Sequence, residues 1–473
     1  MLWLALHLPQ LPLEALGHHG NSDASVAVTE NQVVICCNQS ARGSGVQHGQ
    51  RPTEARTLAP NLQLLERQRQ TEARTLRHLA DWAYQFSSHV SPRTPDGLLL
   101  EIGASTRLFG GLEPLIQHLV TALDALGHAH QYGIAPTPTA AWLFALAGEA
   151  APVDDPATLA GRLQHLPCRV LELSPRQQQA LAGLGVHSLG DCLRLPRRDL
   201  ARRFGRGLLL QLEHALGERP EPRPAHRPPR RFHRHLDLPA EAHDTVSLGF
   251  ALQRLLRELA GLLRGLEGGV QHLGLELHHL HRDASRMDIG LLRPSRDPEH
   301  LFSVCQHRLE REQLAAPVIA LCLRADRIQS LPPRDTSLLV EPDQPEHDQQ
   351  QLSERLGARL GEHAVTGLAS AADHRPEHAW RQDTSAAEEQ LPPVGERPLW
   401  LLPTPLPLDS PQGHPRWHGP LTLECGPERI EGGWWDGADI SRDYYQARNP
   451  RGSRMWIFRE RREQRWFLHG FFG

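Results

Sequence analysis

Residues 94–102 read TPDGLLLEI, an apolar run that follows directly on Asp96 and Gly97. A short apolar run bounded by turn residues predicts a buried strand, here with one carboxylate at its mouth. Strand and helix patterns alternate around it: 26–36 predicts two short strands, 62–87 and 113–127 predict helices, and 130–136 predicts another strand. This alternation predicts an α/β domain with a central sheet over residues 1–165. A lone carboxylate is a poor metal site, so the groups around Asp96 decide what this domain can do.

The bulk properties predict a soluble multidomain protein. The chain has 473 residues, a net charge of -4 and a mean hydropathy of -0.45. Its length predicts three or four domains. The stretch MLWLALHLPQLPLEAL (1–16) lacks a basic segment and a small-residue cleavage site, so it predicts a core strand rather than a signal peptide. We therefore expect a cytoplasmic protein.

The reactive residue types argue against several classes of chemistry. The seven cysteines form no C-x-x-C pair, and the 29 histidines, dense at 17–20 and 277–283, show no H-E-x-x-H spacing. Neither a zinc site nor a disulfide framework is predicted. All 51 basic residues are arginine, which excludes a P-loop lysine and a lysine nucleophile. No metal and no cofactor are predicted.

Residues 166–218 predict a helical unit. It contains the hairpin LAGLGVHSLGDCL (181–193), in which Gly183 and Gly185 could let backbone N–H groups approach a phosphate. A plain turn between two helices explains the pattern equally well.

The segment that follows is basic and rich in proline. Between Arg194 and Arg234 there are twelve arginines and four acidic residues, and 219–235 (RPEPRPAHRPPRRFHRH) predicts a stiff extended tether. We interpret this stretch as a strip that neutralises DNA phosphates, with a solvated linker of biased composition as the alternative. The predicted DNA contacts are Arg202, Arg203, Arg206, Arg230, Arg231 and Arg234.

Residues 236–332 show the order βαββαβ, typical of a small split-βαβ domain. Residues 333–399 predict a polar linker with one helix around 350–365. The last segment, 400–473, carries twelve of the 25 aromatic residues and predicts a compact β-rich module in which RMWIFRE and RWFLHGFF pair. Its aromatic residues either fill a small core or form a partner-binding surface. The residues predicted for that surface are Trp434, Trp435, Tyr444, Tyr445, Trp456 and Trp466.

The series of segments resembles the Y-family (DinB/UmuC-like) translesion DNA polymerases. NQSARGSGVQHGQ (38–50), TPDGLLLEIG (94–103) and YGIAPTPTAAWLFALA (132–147) are similar to successive family motifs, and LAGLGVHSLGDCL is similar to the thumb hairpin. The resemblance implies an α/β (α+β) multidomain fold. Its parts would be palm and fingers (1–165), helical thumb (166–218), tether (219–235), little finger (236–332), linker (333–399) and an additional C-terminal module (400–473).

The family's catalytic carboxylates are largely missing. The resemblance aligns Ala5 and His7 with the N-terminal D-x-D motif and Gly97 with a glutamate, so that only Asp96 is retained. Arg42 keeps a residue type that contacts the triphosphate. Two Mg²⁺ ions need several oxygen ligands, so the pattern predicts no catalysis.

The tail and the missing acids resemble inactive family members that serve as assembly subunits of a bacterial mutasome. That resemblance implies a scaffold for SOS-induced, error-prone translesion synthesis. Its partners would be DNA, the β sliding clamp, the RecA-like subunit ImuA and an error-prone DnaE-type polymerase. RDTSLLVEP (334–342) offers a degenerate clamp motif in Asp335, Leu338 and Leu339, with an ordinary linker as the alternative.

Two other interpretations stay open. One is an active polymerase whose metal ligands are Glu14, Asp96 and Glu101, although Glu101 lies about 16 Å along a strand from Asp96. The other is a DNA-binding protein that only blocks DNA ends and assembles nothing.

Overall fold

The computed structural model describes residues 1–18, 24–331, 344–361, 364–382 and 395–472. They form two compact units, Met1–Arg359 and Leu360–Gly473. Within the described residues, every helix is too short or too polar to cross a membrane. The predicted clamp motif, Asp335, Leu338 and Leu339, lies outside the described residues.

The first part of unit one is an α/β domain. Its elements are β1 Trp3–His7, α1 Leu11–Glu14, β2 Val26–Glu30, β3 Val33–Cys37, α2 Gln39–Gly43, α3 Pro52–Leu58, β4 Gln63–Glu66, α4 Arg69–Ala83, β5 Val90–Arg93, β6 Gly97–Glu101, α5 Leu112–Leu126, β7 Gln131–Ala135 and α6 Pro138–Ala147. The central sheet has the antiparallel order β5-β6-β1-β7, and a smaller sheet has the order β3-β2-β4. The predicted central sheet is therefore confirmed.

The central strands are apolar throughout because both faces of their sheet are covered. Leu98 and Leu100 pack into the core that contains α4 and α5, whereas Leu99 packs into the core that contains α6. Such two-sided burial replaces the usual alternation of polar and apolar residues with a continuous apolar run.

The predicted helix over 62–87 is wrong at its start. Residues Gln63–Glu66 form β4, which pairs in parallel with β2, and the helix α4 begins only at Arg69. A tertiary pairing with β2 thus overrides the local helical spacing of these leucines.

The helical unit contains α7 Pro156–Leu163, α8 Pro175–Gly183, α9 Leu189–Arg194, α10 Arg197–Phe204 and α11 Arg206–Leu216. Its apolar residues share one core with α6 of the α/β domain, which includes Phe144, Leu181 and Leu212. The helical unit therefore packs directly against the α/β domain through a shared apolar core.

The next domain contains β8 Phe232–Ala242, α12 Leu248–Gly265, β9 Gly268–His279, β10 Ser285–Ser295, α13 Pro298–Glu310, β11 Val318–Ala325 and β12 Ile328–Ser330. Its sheet has the order β10-β9-β11-β8, with β12 on β9. The predicted order βαββαβ is confirmed. The strand β8 begins inside the segment predicted as a tether, so residues 232–235 belong to this sheet. A further helix, α14 Gln344–Leu360, lies about six residues earlier than predicted.

The domain junction is closely packed and highly charged. A Cβ atom at Gly261 of α12 would lie 2.3 Å from Cδ1 of Trp82 on α4, so the two helices approach to backbone contact. Asp81, only 4% exposed, accepts hydrogen bonds from Arg234 Nη2 of β8 and from His226 Nε2, both at 2.7 Å. Glu258 of α12 lies on the other side of Arg234, with its Oε2 3.5 Å from the Arg234 Nε. Buried opposite charges thus join these two domains.

Unit two is β-rich, as predicted. Its strands are β13 Leu368–Ser370, β14 Trp380–Gln382, β15 Trp400–Pro407, β16 Thr422–Gly432, β17 Ile440–Arg448, β18 Arg454–Glu460 and β19 Trp466–Phe471. The main sheet has the order β15-β19-β18-β17-β16, and β13 pairs with β14. The predicted pairing of β18 with β19 is confirmed.

Candidate functional site

The mouth of β6 holds one carboxylate and one histidine. In the register of β1 and β6, His7 lies opposite Gly97, and its Nε2 is 3.5 Å from Asp96 Oδ2. The other ring nitrogen of His7, Nδ1, lies 3.2 Å from Gln131 Oε1 on β7. Ala5, two residues before His7 in β1, is fully buried. Asp96 therefore faces a histidine, itself in contact with an amide, where a metal site would need carboxylates.

The two other acids considered as ligands are occupied elsewhere. Glu101 lies at the far end of β6 and accepts hydrogen bonds from the backbone N–H groups of Leu2 and Gly103, at 3.1 and 3.2 Å. Glu14 is buried, and its carboxylate accepts from His128 at 2.6 Å and from the N–H of Ala129 at 2.7 Å. Across the described part of the chain, no three His, Cys, Asp or Glu residues are grouped so that they could hold a metal ion.

Gly97 has no room for a side chain. A Cβ atom there would lie 2.3 Å from Cζ3 and 2.6 Å from Cη2 of Trp142, a residue of α6 that is 4% exposed. The Arg93 guanidinium lies over the same indole, 4.7 Å from its centroid, and is ion-paired with Glu172. The ring of Trp142 therefore occupies the space next to β6 that a longer side chain at position 97 would need.

Arg42 lies on α2, beside the smaller sheet, and its side chain is exposed. Asn38 caps the N-terminus of this helix, and its side-chain Oδ1 accepts from the N–H of Ala41 at 3.0 Å. Exposure leaves Arg42 accessible to an anion.

The hairpin at Gly183 and Gly185 uses its N–H groups internally. The N–H groups of Leu184 and Gly185 donate to carbonyl oxygens at the end of α8, at 3.0 and 2.9 Å. The N–H groups of His187 and Ser188 donate to the carboxylate of Asp191. These hydrogen bonds hold the pKa of the Asp191 carboxyl below its usual value, and those from Ser188 have the largest effect. Those of residues 186 and 189–191 also have acceptors within the protein. The predicted phosphate cradle at Gly183 and Gly185 is not supported by this geometry.

The predicted arginine contacts divide into an exposed group and a buried one. Arg202, Arg203 and Arg206 are exposed on α10 and at the start of α11, and Arg230 and Arg231 are exposed just before β8. Arg202 is ion-paired with Asp199 at 3.0 Å. Arg234, in contrast, is 5% exposed and bound to Asp81. The prediction that Arg234 contacts DNA is wrong, because its guanidinium is buried in the domain junction and ion-paired with Asp81.

The tether before β8 is bound along its length. Glu221 accepts from Thr139 Oγ1 at 2.8 Å, the carbonyl oxygen of Arg223 lies 3.1 Å from His89 Nε2, and the N–H of His226 donates to the carbonyl oxygen of Val90 at 2.7 Å. These contacts hold residues 221–226, and β8 begins at Phe232, so the backbone at Arg230 and Arg231 lies between two bound segments.

The six aromatic residues predicted as a partner surface also divide. Tyr444, Trp456 and Trp466 are between 1% and 6% exposed, and the rings of Tyr444 and Trp456 stack at 4.1 Å. Tyr445 is half-buried against Trp466. For these four residues the alternative of a small core is correct. Only Trp434 and Trp435, 81% and 60% exposed, are available on the surface.

The two exposed tryptophans lie on the loop between β16 and β17, residues 433–439, which we call the Trp loop. Arg375, 4% exposed, donates to Asp436 Oδ1 at 3.0 Å and to the carbonyl oxygen of Ala438 at 3.4 Å. The same guanidinium binds Asp373 and lies 5.4 Å from the ring centroid of Trp435. It holds the pKa values of both aspartates below their usual range. Gly433 has φ +86, and a Cβ there would lie 2.3 Å from the Ala438 oxygen, so only glycine fits.

Sequence reasoning missed Trp142, Asp81 and Arg375. Trp142 stands inside a motif that resembles the family, but nothing in its spacing indicates that its ring faces Gly97. Arg375 belongs to DHRPEHAWR (373–381), whose concentration of charge next to an aromatic segment was the available signal.

We expect Gly97→Ala to lower the free energy of unfolding by about 1–3 kcal/mol, because the new methyl group collides with a buried ring. Denaturant unfolding would measure it. In the double variant with Trp142→Leu, most of the loss of stability caused by Gly97→Ala should disappear. The matched control is Gly183→Ala, because a Cβ at that position meets no atom within 4 Å. If Gly97→Ala lowered the free energy of unfolding by the same amount in the wild type and in the Trp142→Leu background, the collision would not be its cause.

Comparisons with known proteins agree with the sequence resemblance. Residues 14–145 match the model of the impB/mucB/samB family. The chain is 27% identical over 460 residues to Protein ImuB of Caulobacter vibrioides (strain NA1000 / CB15N), an alignment that covers 91% of this chain and 100% of that protein. It is 26% identical over 186 residues to DNA polymerase IV of Moorella thermoacetica, covering 37% of this chain and 46% of that one.

Among solved structures, an insertion ternary complex of Dbh DNA polymerase aligns with 70% of this chain and 99% of its own at 16% identity and a TM-score of 0.39. DinB from Sulfolobus solfataricus aligns with 69% of this chain and 99% of its own at 16% identity and a TM-score of 0.37. By sequence, residues 14–145 match the impB/mucB/samB family, and the chain is similar to Protein ImuB over nine-tenths of its length.

Proposed function

We propose that this chain is a non-catalytic, DNA-bound scaffold for error-prone translesion synthesis. The observation that carries the proposal is the site at the mouth of β6, where Asp96 faces His7 and the ring of Trp142 fills the space at Gly97. A role in DNA-damage mutagenesis is supported by the impB/mucB/samB match and by the similarity to Protein ImuB.

Nucleotidyl transfer by the family needs two Mg²⁺ ions held by clustered carboxylates. The residues of this site do not fit such a pair. Mg²⁺ prefers octahedral oxygen ligation, whereas Asp96 is the single carboxylate here and the side chain that faces it is a histidine. We therefore derive no metal-dependent step for this chain.

An active polymerase with substituted ligands is the second candidate, and the contacts of its acids disfavour it. Glu14 is held by His128 and Ala129, and Glu101 by the N–H groups of Leu2 and Gly103. To reach Asp96, either carboxylate would have to abandon these hydrogen bonds and, for Glu14, a buried position.

DNA binding is proposed to use the exposed arginines of α10, α11 and the tether. Backbone phosphates are bound by arginine without regard to sequence, which suits a scaffold that must act wherever synthesis stalls. Arg203, Arg206, Arg230 and Arg231 are exposed, and none of them forms an ion pair with an acidic residue in the described ranges. Arg42 is a further candidate contact.

Partner binding is proposed to use the Trp loop. Exposed tryptophans on a rigid support are typical anchors of protein interfaces, because little conformational entropy is lost when they are buried. We assign this surface to ImuA or the error-prone DnaE-type polymerase, within an SOS-induced mutasome in the cytoplasm. The β sliding clamp would bind Asp335, Leu338 and Leu339. An end-blocking protein without partners would not need such a loop.

Primer extension tests the loss of catalysis. Purified full-length protein, a primed template, all four dNTPs and Mg²⁺ or Mn²⁺ should give no elongated product, because too few oxygen ligands surround Asp96. Template-dependent elongation that is abolished by Asp96→Ala would reject the proposal. Asp154→Ala, which removes an exposed aspartate outside the arginine strip, is the control for unspecific effects.

Fluorescence anisotropy with labelled duplex DNA tests the arginine strip. Arg230→Gln with Arg231→Gln should weaken binding equally for all sequences and reduce the slope of log K against log salt by roughly 2, since each phosphate contact contributes about 0.9. Arg162→Gln with Arg311→Gln, outside the strip, should change neither quantity. An unaltered slope in the first variant would exclude the tether as a phosphate contact.

Capture of purified ImuA and DnaE-type polymerase tests the Trp loop. Trp434→Ala with Trp435→Ala should weaken at least one of these associations more than tenfold, while DNA affinity stays unchanged. Trp400→Ala, 67% exposed in the same unit, is the matched control. Full retention of both partners by the loop variant would locate partner binding elsewhere.

A further inference from the structure

The sheet β10-β9-β11-β8 has one covered face and one open face. Leu273, Leu275 and Leu277 of β9 are buried against the helices of this domain. The alternate residues of the same strand, among them His272 and His278, point to the opposite face, because successive side chains of a strand alternate. We call this open side the histidine face.

Four histidines lie on the histidine face, and they come from neighbouring parts of the sheet. His233 and His235 stand at alternate positions of β8, are exposed, and flank the buried Arg234. The rings of His235 and His278 are 5.1 Å apart, and His233 Nε2 lies 3.1 Å from the sulfur of Cys322 on β11. Burial raises the pKa of the Cys322 thiol, so this group carries no charge near neutral pH.

The two arginines that β10 and β11 place on this face share a single carboxylate. Glu276 Oε1 accepts from Arg324 Nη2 at 2.6 Å and lies 3.0 Å from Arg286 Nε. Its other oxygen is 3.7 Å from His278 Nε2. The two guanidinium groups therefore share one carboxylate, and the Arg286 side chain remains 74% exposed.

The remaining fixed charges that the sheet contributes to the histidine face are acidic, whereas Arg74 of α4 lines the cavity beside His233 and His235. Asp288 lies on β10, Asp237 lies on β8 with its Oδ1 3.0 Å from His235 Nε2, and Glu241 is exposed near the end of β8. Together with Glu276 and the three arginines Arg74, Arg286 and Arg324, these groups give a net charge of -1 when the four histidines are neutral and +3 when all four are protonated. The sign of the face thus depends on histidine, the side chain whose charge changes near neutral pH.

We propose that the histidine face is a proton-dependent phosphate contact that adds to DNA binding as pH falls. The inference rests on the proposed DNA binding and concerns its regulation. Arg230 and Arg231 directly precede β8, so a DNA backbone held by them is led onto His233 and His235. A phosphate beside these rings favours their charged form, so binding and proton uptake are linked.

A metal ion is a poorer explanation of the histidines, because the described residues contain no group of three ligands close enough to hold one. An acidic protein is the other macromolecule that a protonated face could bind. Competition with polyglutamate of equal total charge separates this possibility from a phosphate contact.

The experiment measures DNA affinity of the full-length protein by fluorescence anisotropy at pH 6.0 and 8.0 and constant ionic strength. The wild type should bind at least tenfold more tightly at pH 6.0. The variant His233→Asn, His235→Asn, His272→Asn, His278→Asn should bind like the wild type at pH 8.0 and show less than a threefold difference between the two pH values. A control with four exposed histidines off this face, His118, His165, His187 and His414, changed to Asn should keep the tenfold difference.

A face variant that keeps the wild-type pH dependence would overturn the inference, and so would polyglutamate that displaces DNA at pH 6.0 as well as free DNA does. Circular dichroism at both pH values verifies that each variant is folded. Binding that is independent of pH but sensitive to Arg230→Gln with Arg231→Gln would reject the histidine face alone. Absence of DNA binding at both pH values would instead reject the proposed function.

Discussion

The contact between the indole of Trp142 and the Cα of Gly97 is the constraint on which the central cleft depends. Trp142 lies on α6, whose apolar side chains fill the core shared by the sheet and the helical unit, so the ring cannot retreat without opening a cavity there. On the other side, β6 is held between β1 and β5 by backbone hydrogen bonds. A longer side chain at position 97 therefore has no space from either direction. The proposed loss of catalysis is built into the packing of this domain as well as into its composition.

A second constraint lies in the junction with the β8–β12 domain, where charges alternate along a buried chain. Asp81, Arg234 and Glu258 are followed by Arg254, whose Nε is 3.6 Å from Glu258 Oε1 and whose Nη2 is 3.1 Å from His128 Nε2. Because a guanidinium only donates, His128 accepts at Nε2 and donates from Nδ1 to a glutamate. Each charge is compensated by the next, so removal of one member would leave its neighbour buried and unpaired.

Local patterns were sufficient for the sheet but not for the side-chain partners. The apolar runs at 94–102 and 130–136 predicted strands correctly because two-sided burial leaves a continuous hydrophobic signal. The helical spacing of apolar residues in 62–87 predicted the wrong conformation for β4, because long-range pairing with β2 makes this segment a strand. The same limit applies to the site. Arg234 looked like any other arginine of a basic segment, and only the position of Asp81, about 150 residues earlier in the chain, shows that it is buried.

The aromatic tail illustrates the limit in another way. The sequence predicted six aromatic residues for one binding surface. Strand alternation could not distinguish buried from exposed rings among them, because apolar clusters cover both faces of the β15–β19 sheet. Tyr444 and Trp456 face one cluster, and Trp466 faces the other. Trp434 and Trp435 are exposed because they lie in the turn after Gly432, where the chain leaves the sheet.

Arg375 has a consequence for how the C-terminal module can be isolated. It stands before the aromatic segment in the sequence, yet it anchors Asp436 and Ala438 of the Trp loop. A fragment that starts at residue 400 would contain all strands of the main sheet and both exposed tryptophans, but not the cation that shapes their support. The smallest autonomous piece that preserves this loop must therefore begin upstream of Asp373, and a shorter excision would present the same aromatic rings on an unanchored turn.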